Sequence, residues 1–322
     1  MEITNPRRIL PAPLRPGARV SLIAPASPAS DEKIAQALAN LKNLGLEVKE
    51  GVSMRKHLGH LAGTDAERLA DLHNAFSDPE TDAVWCVRGG YGCTRLLPDV
   101  DFDLIRRHPK LFFGYSDVTA LHLAIGQKTG LVTFHAPVAA GSYSNATFPH
   151  LMEVARKGTA PYTIHKPYPE DAVAEGAFDP FTIHEGFAEG ELTGGNLSLL
   201  AALCGTPWQP SFKNKLVFME EVGEQPYRID RLLTQMLEAT DLRQAAGLAL
   251  GVFYDCQPKK SEFSLTLKET LLDRLVPLGI PTMYGLPFGH VTDQATLPYG
   301  IKARLDTRAG TLTLLEKAVL VG

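Results

Sequence analysis

From residue 19 onward the chain alternates short apolar runs with amphipathic ones, and this alternation limits the fold more than any other feature. "RVSLIAPAS" reads as a strand, "DEKIAQALANLKNLG" as a helix closed by Gly45, and "LEVKE" as a second strand. "TDAERLADLHNAF" follows, with Thr64 and Glu67 at capping-box spacing, and leads into the strand "DAVWCVRGG". After "DFDLIRRHP" come the strand "KLFFGYSD", the helix "VTALHLAIGQKTG" and the strand "LVTFHAP". Helices between successive strands act as crossovers, so the sequence predicts a mostly parallel, doubly wound sheet with ligands beyond the carboxyl ends of its strands. Both "RGG" and "GYSD" fall at such ends.

Between about Ser142 and Gly190 the periodicity fades, and prolines, glycines and acids gather in "PYPEDAVAEGAFDPF", as in a crossing between domains. Regular patterns then resume. "GGNLSLLAALCG" reads as a helix, "KLVFMEEV" as a strand, "YRIDRLLTQMLEATDL" as a helix and "GLALGVFYDC" as a strand. A helix through "LTLKETLLDRLVPLG", the strand "IPTMYGLPFG" and a closing hairpin in "GIKARLDTRAGTLTLLE" complete the chain. The predicted class is α/β: an N-terminal doubly wound, flavodoxin-like domain over residues 1–150, a crossing over 151–190, and a C-terminal α/β domain with a terminal β-hairpin over 191–322. A length of 322 residues with 44% hydrophobic content supports two such cores.

The same composition excludes several classes of partner. With 36 acids and 32 bases interspersed, no basic run follows a phosphate backbone, and nucleic acid is not expected to bind. Prolines interrupt the opening "MEITNPRRILPAPLRPG", and no window approaches the ~18 apolar residues of a membrane span, so a cytoplasmic protein without membrane contact is expected. Cys86, Cys93, Cys204 and Cys256 form no Cys-x-x-Cys pair and read as reduced thiols rather than metal ligands.

In "LFFGYSDVTALH" one serine, Ser116, stands at a strand-to-helix corner, the place where a nucleophile elbow lifts a hydroxyl clear of the sheet. Gly114 permits a tight turn, and the backbone N–H of Asp117 could face an oxyanion. Val118 stands where the usual Gly-x-Ser-x-Gly has its second glycine. The competing reading is that Ser116 or Asp117 caps the helix. A nucleophilic serine needs a base, and the base needs an orienting group. His57 and His60 form an isolated pair without a third ligand, and His122 lies within a helix. His290, after "YGLPFG" at a strand end, is the candidate base. Glu220 and Glu221 end the apolar run "LVFMEEV", and alternation along a strand turns one of them inward.

The motifs "RGGYG", "GYSDVTALH", "GGNLSLL", "EEVGEQPYRIDR" and "GLPFGH", in this order over residues 18–315, closely resemble the LD-carboxypeptidases, serine peptidases that include microcin-immunity enzymes. The resemblance implies a catalytic Ser116, a base at His290 and a triad glutamate at Glu220, with Glu221 as its one-residue alternative. It implies oxyanion donors at the amides of Gly90 and Asp117, a nucleophile on the N-terminal domain, and the Glu and His on the C-terminal one. The implied substrate is a murein tetrapeptide of cell-wall recycling, cut before its terminal D-alanine, with no metal or cofactor and a homodimeric assembly. One departure is His135-Ala136-Pro137, where the resemblance leads one to expect His-Gly-Pro.

Arg88 and Arg228 are candidates for the substrate's free carboxylate, although bracing of the turn and a helix-surface pair explain them as well. Asn196 could bind substrate or cap a helix, and Tyr91 could line the cleft or pack. The alternative activity is that of a microcin-immunity-type peptidase cleaving peptidyl- or aminoacyl-nucleotide amides, for which Tyr143 and Phe148 could offer an aromatic platform. A two-lobed solute-binding protein would need export, an amidotransferase would need cysteine at the elbow, and "RGGYG" lacks the full dinucleotide fingerprint.

Overall fold

Four of the apolar runs form the strands β1 (Arg19–Ile23), β2 (Glu47–Glu50), β3 (Ala83–Cys86) and β4 (Leu111–Gly114), and β5 (Phe134–His135) adds a fifth. They pair in the order β5-β4-β3-β1-β2, all parallel, which is the flavodoxin-like winding. The computed structural model describes residues 6–143, 147–166, 179–259 and 263–321. Its chain divides into two units, the first made of Met1–Thr159, Thr296–Gly300 and Lys317–Gly322, the second of Ala160–Ala295 and Ile301–Glu316. In the first unit every residue of β3 and β4 is buried, as expected of central parallel strands covered on both faces. Thr64 and Glu67 form the capping box that their spacing predicts at the helix Asp65–Ser77. β5 is shorter than "LVTFHAP" because Leu131 is bridged by Ile9, from the start of the chain, before the sheet is reached.

The second unit contains β6 (Tyr162–His165), β7 (Phe181–His184), β8 (Phe187–Asn196), β9 (Leu216–Val222), β10 (Gly247–Tyr254) and β11 (Thr282–Tyr284). The chain then supplies β12 (Leu297–Pro298), antiparallel to β5 in the first sheet, before β13 (Lys302–Asp306) and β14 (Thr311–Leu314). The order is β6-β14-β13-β8-β9-β10-β11-β7, with β8 to β11 parallel and antiparallel strands on either side. β13 and β14 form the terminal hairpin.

Two sequence expectations change here. "GGNLSLLAALCG" begins as strand, since β8 continues through Asn196 and only Leu197–Ala202 is helical. A side chain at Gly194 would collide with the Phe218 carbonyl, so glycine is what lets β8 lie against β9 there. The aperiodic stretch also contains β6 and β7, while residues 167–178 of it lie outside the described residues.

Candidate active site

At the end of β4 the backbone turns sharply, and Ser116 adopts φ 64°. For an L-residue this left-handed conformation costs about 1–2 kcal/mol, so something other than local preference holds it. A methyl on Gly114 would stand 2.9 Å from a Val118 methyl, which explains the glycine and fills the space of the missing fifth-position glycine. The Gly114 carbonyl accepts from the Ala136 amide at 3.1 Å and pairs with His122 Nε2 at 2.9 Å, which fixes the strand end below the serine. His122 is fully buried, and burial pushes its pKa down to about 3, so the neutral ring donates from Nε2. The cap positions of the following turn and helix are Tyr115 and Val118, without side-chain caps, so neither Ser116 nor Asp117 fills the capping role that competed with catalysis.

The turn after β3 approaches this corner. A methyl on Gly89 would lie 2.9 Å from Ser116 Cβ, 3.1 Å from its Oγ and 3.3 Å from the Asp117 amide nitrogen. On Gly90, which has φ 118°, it would overlap Ser27 Oγ. The Tyr91 amide donates to Ser27 Oγ at 3.1 Å, while Arg88 donates to the Pro28 carbonyl at 3.0 Å and so braces the turn. The Tyr91 ring is exposed and lies 5.3 Å from the His60 ring. Asp117 is buried, and its carboxylate accepts the Cys93 amide at 2.8 Å; burial raises its pKa although that hydrogen bond opposes the shift. Sequence reading passed over Arg68, which is fully buried and donates to the Pro25 carbonyl and, at 3.0 Å, to the Gly92 carbonyl. Its signal was available: Arg68 shares the spacing of the buried Leu72, Ala75 and Phe76 on one helix.

In the second unit His290 Nδ1 lies 2.7 Å from Glu220 Oε2. Glu220 is completely buried, whereas the His290 side chain keeps 20% of its exposure. Gly289, with φ 114°, permits the approach, because a methyl there would stand 2.8 Å from the Val252 carbonyl and 3.0 Å from Glu220 Cβ. Gln294 Nε2 donates to the Gly289 carbonyl at 2.7 Å and steadies the loop. Burial disfavours the charged imidazole, but the charge and hydrogen bond of Glu220, helped by Glu221, outweigh it and raise the pKa above its ordinary value. With Nδ1–H directed at the carboxylate, Nε2 is the basic nitrogen of the neutral ring.

Glu221 is engaged elsewhere. It accepts from Asn196 Nδ2 at 3.0 Å, from the Ser198 amide and hydroxyl at 2.8 and 2.7 Å, and from the Val222 amide at 2.8 Å. Asn196 also caps its helix through the Leu199 amide at 3.3 Å. The two adjacent acids therefore divide, one facing the imidazole and one a helix start.

The other candidates lie in ordinary surroundings. Arg228 is on an exposed helix face, bonded to Glu224 at 3.3 Å and to the Tyr227 hydroxyl at 3.1 Å. His57 and His60 are exposed, and among the described residues no three His, Cys, Asp or Glu side chains group as a metal site would require. Tyr143 and Phe148 pack edge to face at 5.4 Å, beside residues 144–146, which lie outside the described residues. Cys86, Cys93 and Cys256 are buried free thiols, Cys204 is a half-buried one, and among the described residues no helix is long and apolar enough to cross a membrane.

A serine on a strained corner and a carboxylate-held imidazole are side chains of the kinds that serine-type hydrolases use. Comparison with known proteins agrees: residues 20–136 match the LD-carboxypeptidase N-terminal domain and residues 189–305 the LD-carboxypeptidase C-terminal domain. The chain belongs to the LD-carboxypeptidase family. It is 42% identical to a probable murein peptide carboxypeptidase of Bacillus subtilis, over 97% of this chain and 96% of that one. The structure of a muramoyltetrapeptide carboxypeptidase from Oxalobacter formigenes superposes with a TM-score of 0.77 at 33% identity, covering 92% of this chain and 97% of that one. An MccF-like protein from Bacillus anthracis gives a TM-score of 0.81 at 28% identity, covering 96% and 99%.

Proposed function

We propose that this protein removes the terminal D-alanine from murein tetrapeptides by hydrolysing the bond between the L-centre of a diamino acid and that residue. The observation that carries the chemistry is the 2.7 Å pairing of His290 Nδ1 with a fully buried Glu220. It supplies an oriented base able to take a proton at Nε2. In this reading Ser116 Oγ attacks the carbonyl and passes its proton to His290 Nε2. The amides of Gly90 and Asp117 hold the resulting oxyanion, each worth on the order of 3 kcal/mol. His290 then protonates the departing amine as the carbon–nitrogen bond breaks. Water, deprotonated by the same nitrogen, displaces Ser116 and releases the tripeptide. Glu220 holds the tautomer and offsets the imidazolium charge. Residue chemistry alone suffices for these steps.

The murein peptide as substrate is supported by the carboxypeptidases named above; a role in cell-wall recycling, a cytoplasmic location and a homodimer are proposed with it on the family resemblance alone. The MccF-like neighbour supports a second reading, cleavage of a peptidyl- or aminoacyl-nucleotide amide. Incubating the purified protein with a murein tetrapeptide and, in parallel, with an aminoacyl sulfamoyl adenylate tests both. D-alanine release from the first at much the higher kcat/KM is expected. Preference for the second would transfer the assignment to the microcin-immunity branch.

A further inference from the structure

The turn that carries Gly89 and Gly90 is gripped at one place from two sides. The Gly92 carbonyl and the Cys93 N–H belong to the same peptide unit. Its oxygen accepts from Arg68 Nη1 at 3.0 Å, and its N–H donates to Asp117 Oδ2 at 2.8 Å. Both side chains are buried, Arg68 completely and Asp117 to within 1%. The same Arg68 nitrogen also holds the Pro25 carbonyl in the loop after β1, so one guanidinium ties the ends of two neighbouring strands together. Its Nη2 is anchored by Asp65, which Arg95 in turn binds through both carboxylate oxygens. Arg68 Nε has no hydrogen-bond partner, and a buried guanidinium left partly unpaired is an expensive way to gain stability. Asp117 is meanwhile the residue directly after Ser116, so its carboxylate links the serine corner to the turn facing it.

Resting on the reading of Ser116 as nucleophile, we propose that Arg68 and Asp117 are paired positioning residues: by holding opposite edges of the Gly92–Cys93 peptide they fix the Gly89–Gly90 backbone in register with Ser116 for oxyanion binding. Neither side chain touches the reacting atoms. Their effect is on where the donor amide stands, and therefore on transition-state stabilisation rather than on ground-state binding.

The test compares Arg68→Lys, Asp117→Ala, which removes the acceptor of the Cys93 N–H, and the double variant with the wild type. Three quantities are read: kcat and KM for D-alanine release, the rate at which a fluorophosphonate derivatises Ser116, and the thermal midpoint. Each single variant should lose kcat on the order of 10²-fold, as misplacement of a catalytic group by about 1 Å can do. KM should stay within about threefold, and fluorophosphonate labelling should slow in parallel. Because either loss frees the peptide, the double variant should be no worse than the poorer single one. Wild-type kcat in the folded single variants, losses confined to KM, or losses that multiply in the double would overturn the proposal. If Arg68→Lys does not fold, the kcat-against-KM split and labelling rate of Asp117→Ala decide the matter. A wild type that labels at Ser116 but spares the tetrapeptide removes only the substrate reading, with labelling still reporting the grip; a wild type that does not label removes both.

Discussion

In the first unit the proposed nucleophile is placed by its backbone, whereas in the second the proposed base is placed by charge. Ser116 stands at φ 64° on a corner whose neighbours are glycines and a valine. His290 stands where a buried carboxylate holds it at 2.7 Å. Two histidines make the same contrast. His122, buried beside the Gly114 carbonyl, is kept neutral with its pKa pushed down to about 3, while His290 is raised by Glu220 and Glu221 against the opposing pull of burial. The lesson is that the corner stores strain that costs stability at every pH, whereas the pair contributes stability that depends on the charge of the ring.

The largest expected effect is loss of the hydroxyl. Ser116→Ala should reduce D-alanine release by at least ~10⁴-fold while leaving the thermal midpoint nearly unchanged, since no paired charge is disturbed. Retained turnover would remove the serine from the mechanism and collapse the comparison. Next, the two adjacent acids should separate. Glu220→Gln should lower kcat by roughly 10⁴-fold, as replacing the orienting carboxylate of a triad does. Glu221→Gln should keep kcat within about tenfold but lose about 1–2 kcal/mol in a denaturant titration, because it weakens a helix cap. Exchange of these two outcomes would show the wrong acid assigned.

Smaller effects should appear in pH profiles. With neutral His290 as the proposed base, the acid limb of kcat/KM should lie above the ordinary histidine value of 6.5, and Glu220→Gln should bring it down. The stability contribution of the pair runs the other way. It is complete below 6.5, where folded and unfolded rings are both charged, and is lost as pH rises through the raised folded value. His122 has the reverse sign: as pH falls from 6.5 toward about 3, the unfolded ring takes up a proton that the folded ring refuses, and stability declines. Denaturant midpoints of His122→Gln should lack that decline, and persistence of the decline would place its source elsewhere. The smallest effect concerns strain alone. Ser116→Gly should be about 0.5–1 kcal/mol more stable than Ser116→Ala, since only glycine enters the left-handed region without penalty.

How far the sequence could be read follows from the same physics. Strand and helix periods revealed the parallel sheet, the corner at Ser116 and the terminal hairpin, because each is a local pattern with its own spacing. β8 was misread because Gly194 and Gly195 weaken any strand signal, and the reason for Gly194, the Phe218 carbonyl of the neighbouring strand, is distant in the chain. β6 and β7 were missed as short strands of four residues among prolines and acids. Residue types alone left Glu220 and Glu221 open, since both are buried and the distinction lies in which partner each meets. Arg68 escaped because arginine on an amphipathic helix ordinarily faces water.

Val118 carries a broader consequence. Residues 114 and 118 come so close that only one of them has room for a side chain, and here the room goes to the later position. A pattern demanding glycine at both ends of a five-residue elbow encodes one of two steric solutions as though it were the rule. Elbows that satisfy the other solution will be overlooked by such a pattern, although their hydroxyl is presented in the same way.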